Sequence, residues 1–378
     1  MYTVRILSGG VEVITELASE WAALCDRAEC QDPFLRPEWF NALVRNFRIE
    51  VRLLTVRRDG SLRAVLPLVA RKATIHGLRV AALQGVFDLN TPRFDLVHSD
   101  DESERPEIVD ALWTALQKLD RWDAFETRLI KRDSWLTDLV KRAQADRHPT
   151  GVWQMDAAPF ITLPPRADAD NFFAGSRKHF GKEMARRVRR LNEIGEVEFL
   201  LTREYSATMI HRYLKLEQMG WKGNGGTAAI LDPRAASLHH DLARDAAKNG
   251  RLYVYELRLD GRTIAMSVNI RGGSTMFHWK TSYDESFAKY SPGNLLFRKL
   301  FDDCIVDGLA EIDFLSPSTA NKRVWATGER DHIALYIFRP GVIGKIVWTW
   351  KFAVIGRLRA MKESYPRVAS LFLWMQFQ

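Results

Sequence analysis

Cysteine is scarce: Cys25, Cys30 and Cys304 are the only three in 378 residues, and none forms a CxxC pair. That excludes a disulfide framework and a cysteine-based zinc site. It points to a reducing compartment, with the cytoplasm as the default. Long apolar runs are missing too, so no bilayer-spanning segment is expected, and the opening MYTVRILSGG has no signal-peptide core. His239-His240 stands without a surrounding ligand cluster, and GNGG at 223–226 lacks a nucleotide-loop lysine arrangement, so no metal is expected. The net charge of +8 is modest and local, concentrated in SRKHFGKEMARRVRR and in the tail from Arg339 onward. It suits a polyanion, a membrane surface or a phosphate-bearing cosubstrate without choosing among them.

What is present is enough apolar sequence, 46%, to bury the cores of two domains. The second half carries three strand-like runs, RLYVYELRL, RTIAMSVNI and STMFHWKTSY, separated by Asp260-Gly261 and Gly272-Gly273, both hairpin signals. A helix follows, with apolar positions at Leu296/Phe297, Leu300/Phe301 and Cys304/Ile305 and a stop at Gly308, and then a short strand, AEIDFL. The first half repeats the order: VRLLTVRR, Asp59-Gly60, SLRAVLPLVARK, LRVAAL, a helix ERPEIVDALWTALQKL and a strand DAFETRLI. Gly261 follows Gly60 by 201 residues, and an internal duplication is expected. The boundaries are placed at 1–150 for the first unit, 151–340 for the second, and 341–378 for a basic, aromatic-rich helical tail.

The two helix mouths differ. The first is fringed by Asp100, Asp101, Glu102 and Glu104; the second by Ser291, Pro292, Gly293 and Asn294. Carboxylates satisfy the positive end of a helix dipole and repel phosphate, whereas bare amides attract it. Pro-Gly before a helix is more often a plain turn, but an anion, if held, belongs to the second copy.

The stretch TSYDESFAKYSPGNLLFRKLFDDCIVDGLAEIDFL supplies Tyr283, Asp284, Phe287, Ser291, Pro292, Gly293, Asp313, Phe314 and Leu315. In that pattern it resembles the CelD-like acetyltransferases linked to cellulose and exopolysaccharide biosynthesis, a branch of the GNAT acyl-CoA N-acyltransferases. SRKHFGKEMARRVRRLNEIGEVEF, LEQMGWKGNGGTA and DPFLRPEWF resemble that family's basic helix, Trp-Lys-Gly turn and entry motif. The doubled architecture is also similar to the Fem peptidyltransferases. One departure stands out: Asn321 takes a position where the family has Tyr, although Lys322 and Trp325 are kept.

The resemblance implies an α/β protein with mixed sheets, a tandem duplicated GNAT fold, using acetyl-CoA or another acyl-CoA as cosubstrate. The cosubstrate is expected along Lys280, Thr281 and Ser282, whose backbone would hold the oxyanion, and on Ser291, Pro292, Gly293, Asn294 and Leu295. Asp284 and Asp313 are the candidate bases, with Glu217 third, and Tyr290 is a candidate proton donor to the thiolate. Trp221, Lys222, Lys322 and Trp325 are the candidate acceptor-binding residues.

The acceptor is expected to be an amine, such as an amino sugar of a polysaccharide precursor, seated between the two units. Two alternatives stay open: a Fem-like transferase taking aminoacyl-tRNA, and a non-catalytic accessory protein of a polysaccharide assembly. The tail, with Trp348, Trp350, Phe352 and Trp374 among its cations, either packs on its own domain or lies peripherally on a membrane beside a synthase.

Overall fold

The computed structural model describes residues 1–27, 32–87, 91–173, 178–315 and 317–357. Cys30 and Trp374 lie outside them. The chain begins with β1 (Tyr2–Gly9), α1 (Val11–Arg27) and α2 (Pro37–Phe47). Then come the meander β2 (Val51–Arg58), β3 (Ser61–Ile75) and β4 (Leu78–Gly85), and the short β5 (Val97–His98). The helix α3 (Arg105–Lys118), β6 (Ala124–Lys131), α4 (Leu136–Ala145) and β7 (Thr150–Gln154) complete this part.

The second part runs β8 (Ala158–Thr162), α5 (Lys178–Asn192), β9 (Val197–Thr202), α6 (Ala207–Met219), α7 (Trp221–Asn224) and α8 (Pro233–Lys248). The second meander follows, β10 (Leu252–Leu259), β11 (Arg262–Gly272) and β12 (Thr275–Tyr283). After it come α9 (Pro292–Val306), β13 (Glu311–Asp313), α10 (Ala320–Arg323) and β14 (Gly328–Arg330). The chain ends with β15 (His332–Phe338) and α11 (Val342–Trp348), continued as a π-helical turn over Thr349–Ile355.

Two mixed sheets result, ordered β1-β2-β3-β4-β6-β15-β7, with β5 on β3, and β14-β8-β13-β12-β11-β10-β9. In each, the third meander strand pairs in parallel with the strand after the helix, β4 with β6 and β12 with β13. The duplication extends to detail. Asp59-Gly60 and Asp260-Gly261 all have positive φ, as a two-residue hairpin turn demands, and a register shift follows each at Val56/Arg57 and Leu257/Arg258. Central β10 is buried at seven of its eight positions while the edge strands β1 and β9 show no fully buried residue, which is why only the central strands read as continuous apolar runs.

The sheets exchange material across the sequence division near 150: β7 and β15 both join the first sheet. One core, moreover, runs through both units. Phe34 meets Phe277 edge-on at 5.7 Å, Trp39 meets Trp279 at 5.9 Å, and Asn46 Nδ2 donates to Asp241 at 2.9 Å. The first unit thus shares one face of β12 with α6 and with His239 of α8, which stacks on Trp279. α9 covers the other, and the amphipathic α5 packs against α9, burying Met184 and Leu191 and throwing Lys178, Lys182, Arg186, Arg189 and Arg190 outward.

The tail packs on the first sheet: Trp348 Nε1 donates to Thr150 O at 2.7 Å and Trp350 Nε1 to His76 O at 2.9 Å. Lys351 is buried, its ammonium 4.4 Å from the Trp153 ring centroid and 4.3 Å from that of Tyr336. No helix among the described residues is long and apolar enough to cross a membrane.

Candidate active site

Three features meet at the far end of β12. First, β13 pairs with β12 only over Thr275, Met276 and Phe277, so from His278 to Tyr283 that edge has no strand partner among the described residues. Second, the register against β11 shifts between the pairs Ile270↔Phe277 and Val268↔Lys280, so β12 carries an extra residue at His278/Trp279. Such a bulge re-aims side chains and leaves a backbone group unpaired. Third, α9 opens beside this edge: a Cβ on Gly293 would stand 3.7 Å from both Thr281 Cγ2 and Tyr283 Cδ1.

Ser291, the residue before α9, has φ +50°, a turn that lets Pro292 begin the helix. The amides of Asn294 and Leu295 bond Ser291 O, as in any first turn, while among the described residues no bond engages Gly293 N–H. The first unit lacks both the bulge and the acid-free helix mouth. Its β3–β4 register is continuous over eight pairs, and Glu104 at the α3 mouth is buried and bound by Arg63, Arg58 and Ser99. Burial opposes that carboxylate's charge, yet the arginines and Ser99 hold its pKa down at about 2. The acidic mouth is closed by its own arginines.

The two candidate bases stand apart. Asp313 pairs with Phe277, and Asp284 lies seven residues further along β12, roughly 23 Å away at strand rise, so they do not face one cleft. Asp284 caps the 3-10 turn Glu285–Tyr290 through Ser286 N at 3.0 Å and pairs with Arg262. Asp313 is 1% exposed, accepts Leu315 N–H at 2.8 Å and is gripped by Arg93 of the first unit at 2.6 Å. For both, burial pushes the pKa up but the hydrogen bonds and arginines bring it below the ordinary value. Arg93 also binds Asp32 of the DPFLRPEWF motif at 2.8 Å, so two sequence motifs 281 residues apart are welded by one guanidinium.

Tyr290 is buried under the α9 corner beside Phe287. Trp325 sits in the second core, its Nε1 donating to Asn294 Oδ1 at 3.1 Å, and Leu295 is buried nearby. Lys322 donates to Leu315 O at 3.1 Å and Pro317 O at 2.9 Å, and burial lowers its pKa to about 8. The Trp221 side chain lies outside the described residues. Lys222 meets Glu217 at 2.5 Å, and Glu217 also accepts Tyr213 OH at 3.2 Å and Ala229 N at 2.9 Å. Burial raises the Glu217 pKa but Lys222 outweighs it, so the carboxylate is held ionised.

Glu217, Lys222, Gly220, Thr281, Ser282, Tyr283 and Glu285 line a recess of about 310 Å³ open to solvent. A larger cleft of about 680 Å³ lies between the units, with Asp32, Arg93, Lys131, Gly272, Gly273 and Arg330 on its walls, at the opposite end of β12. No cluster among the described residues has the makings of a metal site.

Sequence reasoning passed over Asn269, His278, Tyr213 and Arg93. His278 had a visible signal, a polar residue inside a strand between Phe277 and Trp279. Arg93 had none.

Residues 178–323 match the family model described as an acetyltransferase (GNAT) domain. No curated protein matches the sequence. Among solved structures the chain is similar to the C-terminal domain (DUF2156) of a putative lysylphosphatidylglycerol synthetase from Agrobacterium fabrum, at 12% identity, 88% of this chain, 95% of that one and TM-score 0.54. It is likewise similar to FemX, at 12%, 83%, 95% and 0.54, and to L-PGS from Bacillus licheniformis, at 13%, 87%, 95% and 0.52. At these identities the likeness is one of fold. The chain is a mixed α/β protein of two mixed sheets, and residues 178–323 of its second unit carry a GNAT-type acyltransferase domain.

Proposed function

We propose that the second unit transfers an acyl group from acyl-CoA to an amine. The observation that carries this is the coincidence, in the second copy alone, of a bulged strand with a free edge and a helix mouth without carboxylates. A pantetheine arm, with two amides, matches an unpaired strand edge, and its diphosphate matches the positive end of α9. The exposed cations of α5, which packs against α9 and the preceding turn, supply further attraction for the coenzyme's phosphates.

Residues 278–283 then align the thioester, and the unpaired backbone at the bulge faces the carbonyl oxygen as it becomes an oxyanion. The recess bounded by Lys222 and Glu217 abuts the same strand end and is the entry for the acceptor. Asp284 and Asp313 hold the strand ends and the unit interface in register. The CelD-like motifs make an amino sugar of a polysaccharide precursor our choice of acceptor. The basic face of α5 keeps a second reading in view, in which aminoacyl-tRNA is the donor. It predicts steeply salt-dependent RNA binding without affinity for coenzyme A.

Isothermal titration with acetyl-CoA on the wild type and Gly293→Glu tests the proposal. The new Cβ meets nothing closer than 3.7 Å, so the variant is expected to fold while its carboxylate repels the diphosphate. Loss of binding in the variant is expected. Absence of binding by the wild type, or equal binding by both, overturns the reading.

A further inference from the structure

Three side chains at the bulge form a directed chain. Asn269 is wholly buried on β11, and its Nδ2 is spent on Tyr253 O and Ser267 Oγ, both at 3.1 Å. Its Oδ1 therefore faces His278 Nδ1, at 2.7 Å, and can only accept, so the imidazole carries its proton on Nδ1. The other ring nitrogen, Nε2, is then a lone pair, and Thr281 Oγ1 lies 2.8 Å from it. The hydroxyl must donate there. With its single proton committed inward, Thr281 has only lone pairs left for anything beside it.

From this chain the geometry points to Thr281 as an acceptor-only group at the reaction centre, the residue that receives an N–H of the attacking amine. This rests on the acyl-transfer reading above and deepens it by dividing the labour. Thr281 cannot donate to the carbonyl oxygen, so the oxyanion falls to backbone N–H groups. What Thr281 can do is turn a primary amine so that its lone pair meets the acyl carbon, then hold the N–H that becomes acidic as the C–N bond forms. The C–S bond breaks as the tetrahedral intermediate collapses, and that proton goes to the departing thiolate, giving amide and free coenzyme A thiol. The placement fits: Thr281 is half-buried, lines the recess that holds Glu217 and Lys222, and touches the first turn of α9. His278 and Asn269 act through it and are positioning residues.

The polarity of the chain is insulated from pH. The Phe297 ring faces His278 from α9 at 5.1 Å, and the Phe314 ring, from the segment after β13, at 5.9 Å. From β11 comes neutral Asn269, and the one charged influence is Lys322 on α10. Burial first, and Lys322 second, bring the His278 pKa down to about 3, so the ring stays neutral and Thr281 keeps donating inward.

The test has two arms on the full chain. Nitrogen-15 NMR of labelled histidine, with His278 assigned by its loss in His278→Gln, is expected to show the Nδ1–H tautomer and no titration between pH 8 and pH 5. An Nε2–H tautomer, or protonation in that window, overturns the proposal whether or not the protein turns over. In steady-state kinetics with acetyl-CoA and an amine panel, Thr281→Val is expected to lose about tenfold or more in kcat with little change in KM for the thioester. Thr281→Ser restores it. Asn269→Asp makes His278 more basic and adds an acidic limb to the pH profile of kcat that the wild type lacks. A Thr281→Val enzyme with wild-type kcat, or an Asn269→Asp profile without the limb, refutes the role. A wild type that turns over no amine removes the acyl-transfer reading, and Thr281's amine with it, while the NMR arm still decides the direction of the chain.

Discussion

Replacing Arg93 by methionine probes the junction on which the site depends. Arg93 is 4% exposed and serves two carboxylates that are nearly as buried, Asp32 at 4% and Asp313 at 1%. The pairs join the entry motif, the loop after β4 and the last residue of β13, spanning 61 and 220 positions in sequence. Removing one partner of a buried pair costs roughly 3–5 kcal/mol, because the charge left behind has no water. Two orphaned carboxylates do not double that figure, since Phe34 N still bonds Asp32 at 2.9 Å and Arg330 remains 3.4 Å from Asp313. A loss of about 4 kcal/mol at pH 7 is expected in urea unfolding followed by tryptophan fluorescence, with Trp39 and Trp279 reporting at the interface.

The sign with pH follows. In the wild type the Asp313 pKa is held below its ordinary 3.8, so its stabilisation is present above that value and fades as pH falls through the lower one. In Arg93→Met burial is opposed only by the Leu315 N–H and Arg330 and raises the pKa, so the variant sheds its penalty by taking up a proton as pH falls from neutral. The gap between the two proteins narrows downward from pH 7 toward pH 4. Adding Asp313→Asn to Arg93→Met recovers a large part of the loss. A penalty under about 1 kcal/mol at pH 7, or one as large at pH 4 as at pH 7, would refute the reasoning.

Other outcomes follow from the same structure. Truncating Trp325 to alanine removes a 2% exposed ring packed on Phe180, Phe297 and Phe301, and is expected to cost roughly 3–5 kcal/mol in thermal or urea unfolding. Lys351→Met takes a cation from beside His76, whose pKa is about 4 because of burial and then Lys351. Proton NMR is expected to find the His76 pKa raised in the variant, and an unchanged value would contradict the contact. Glu217→Leu leaves Lys222, Tyr213 OH and Ala229 N–H without their shared partner, and is expected to be less stable than Glu217→Gln.

Much of the meander was legible because local chemistry dictates it. Asp-Gly pairs adopt the two positive φ angles a tight hairpin needs, and the apolar runs between them match β2, β3, β10, β11 and β12 closely. Leu296, Phe297, Leu300, Phe301, Cys304 and Ile305 fall on the buried face of α9, and Phe180, Met184, Val188 and Leu191 form the inner stripe of α5. The repeated element order was legible by comparing stretches about 200 residues apart, and the unequal helix mouths because each depends on residues within a few positions of one another. The tail was ambiguous in sequence, since an amphipathic helix does not declare what covers it. Here its Trp348, Lys351 and Phe352 find the first sheet.

Other properties are long-range and had no local trace. Strand β15 enters the first sheet between β6 and β7, far in sequence from β6. Asp284 and Asp313 look adjacent in a strand diagram, but the parallel pairing stops at Phe277 and sets them at opposite ends of β12. Arg93 is one arginine among many until the chain closes around it. Sequence alone determined the elements, their order and which helix mouth is free of acid, because these follow from neighbours along the chain. Tertiary structure decided which carboxylates are spent on holding the units together and which hydroxyl is left facing the recess, because burial and hydrogen-bond direction exist only after distant segments meet.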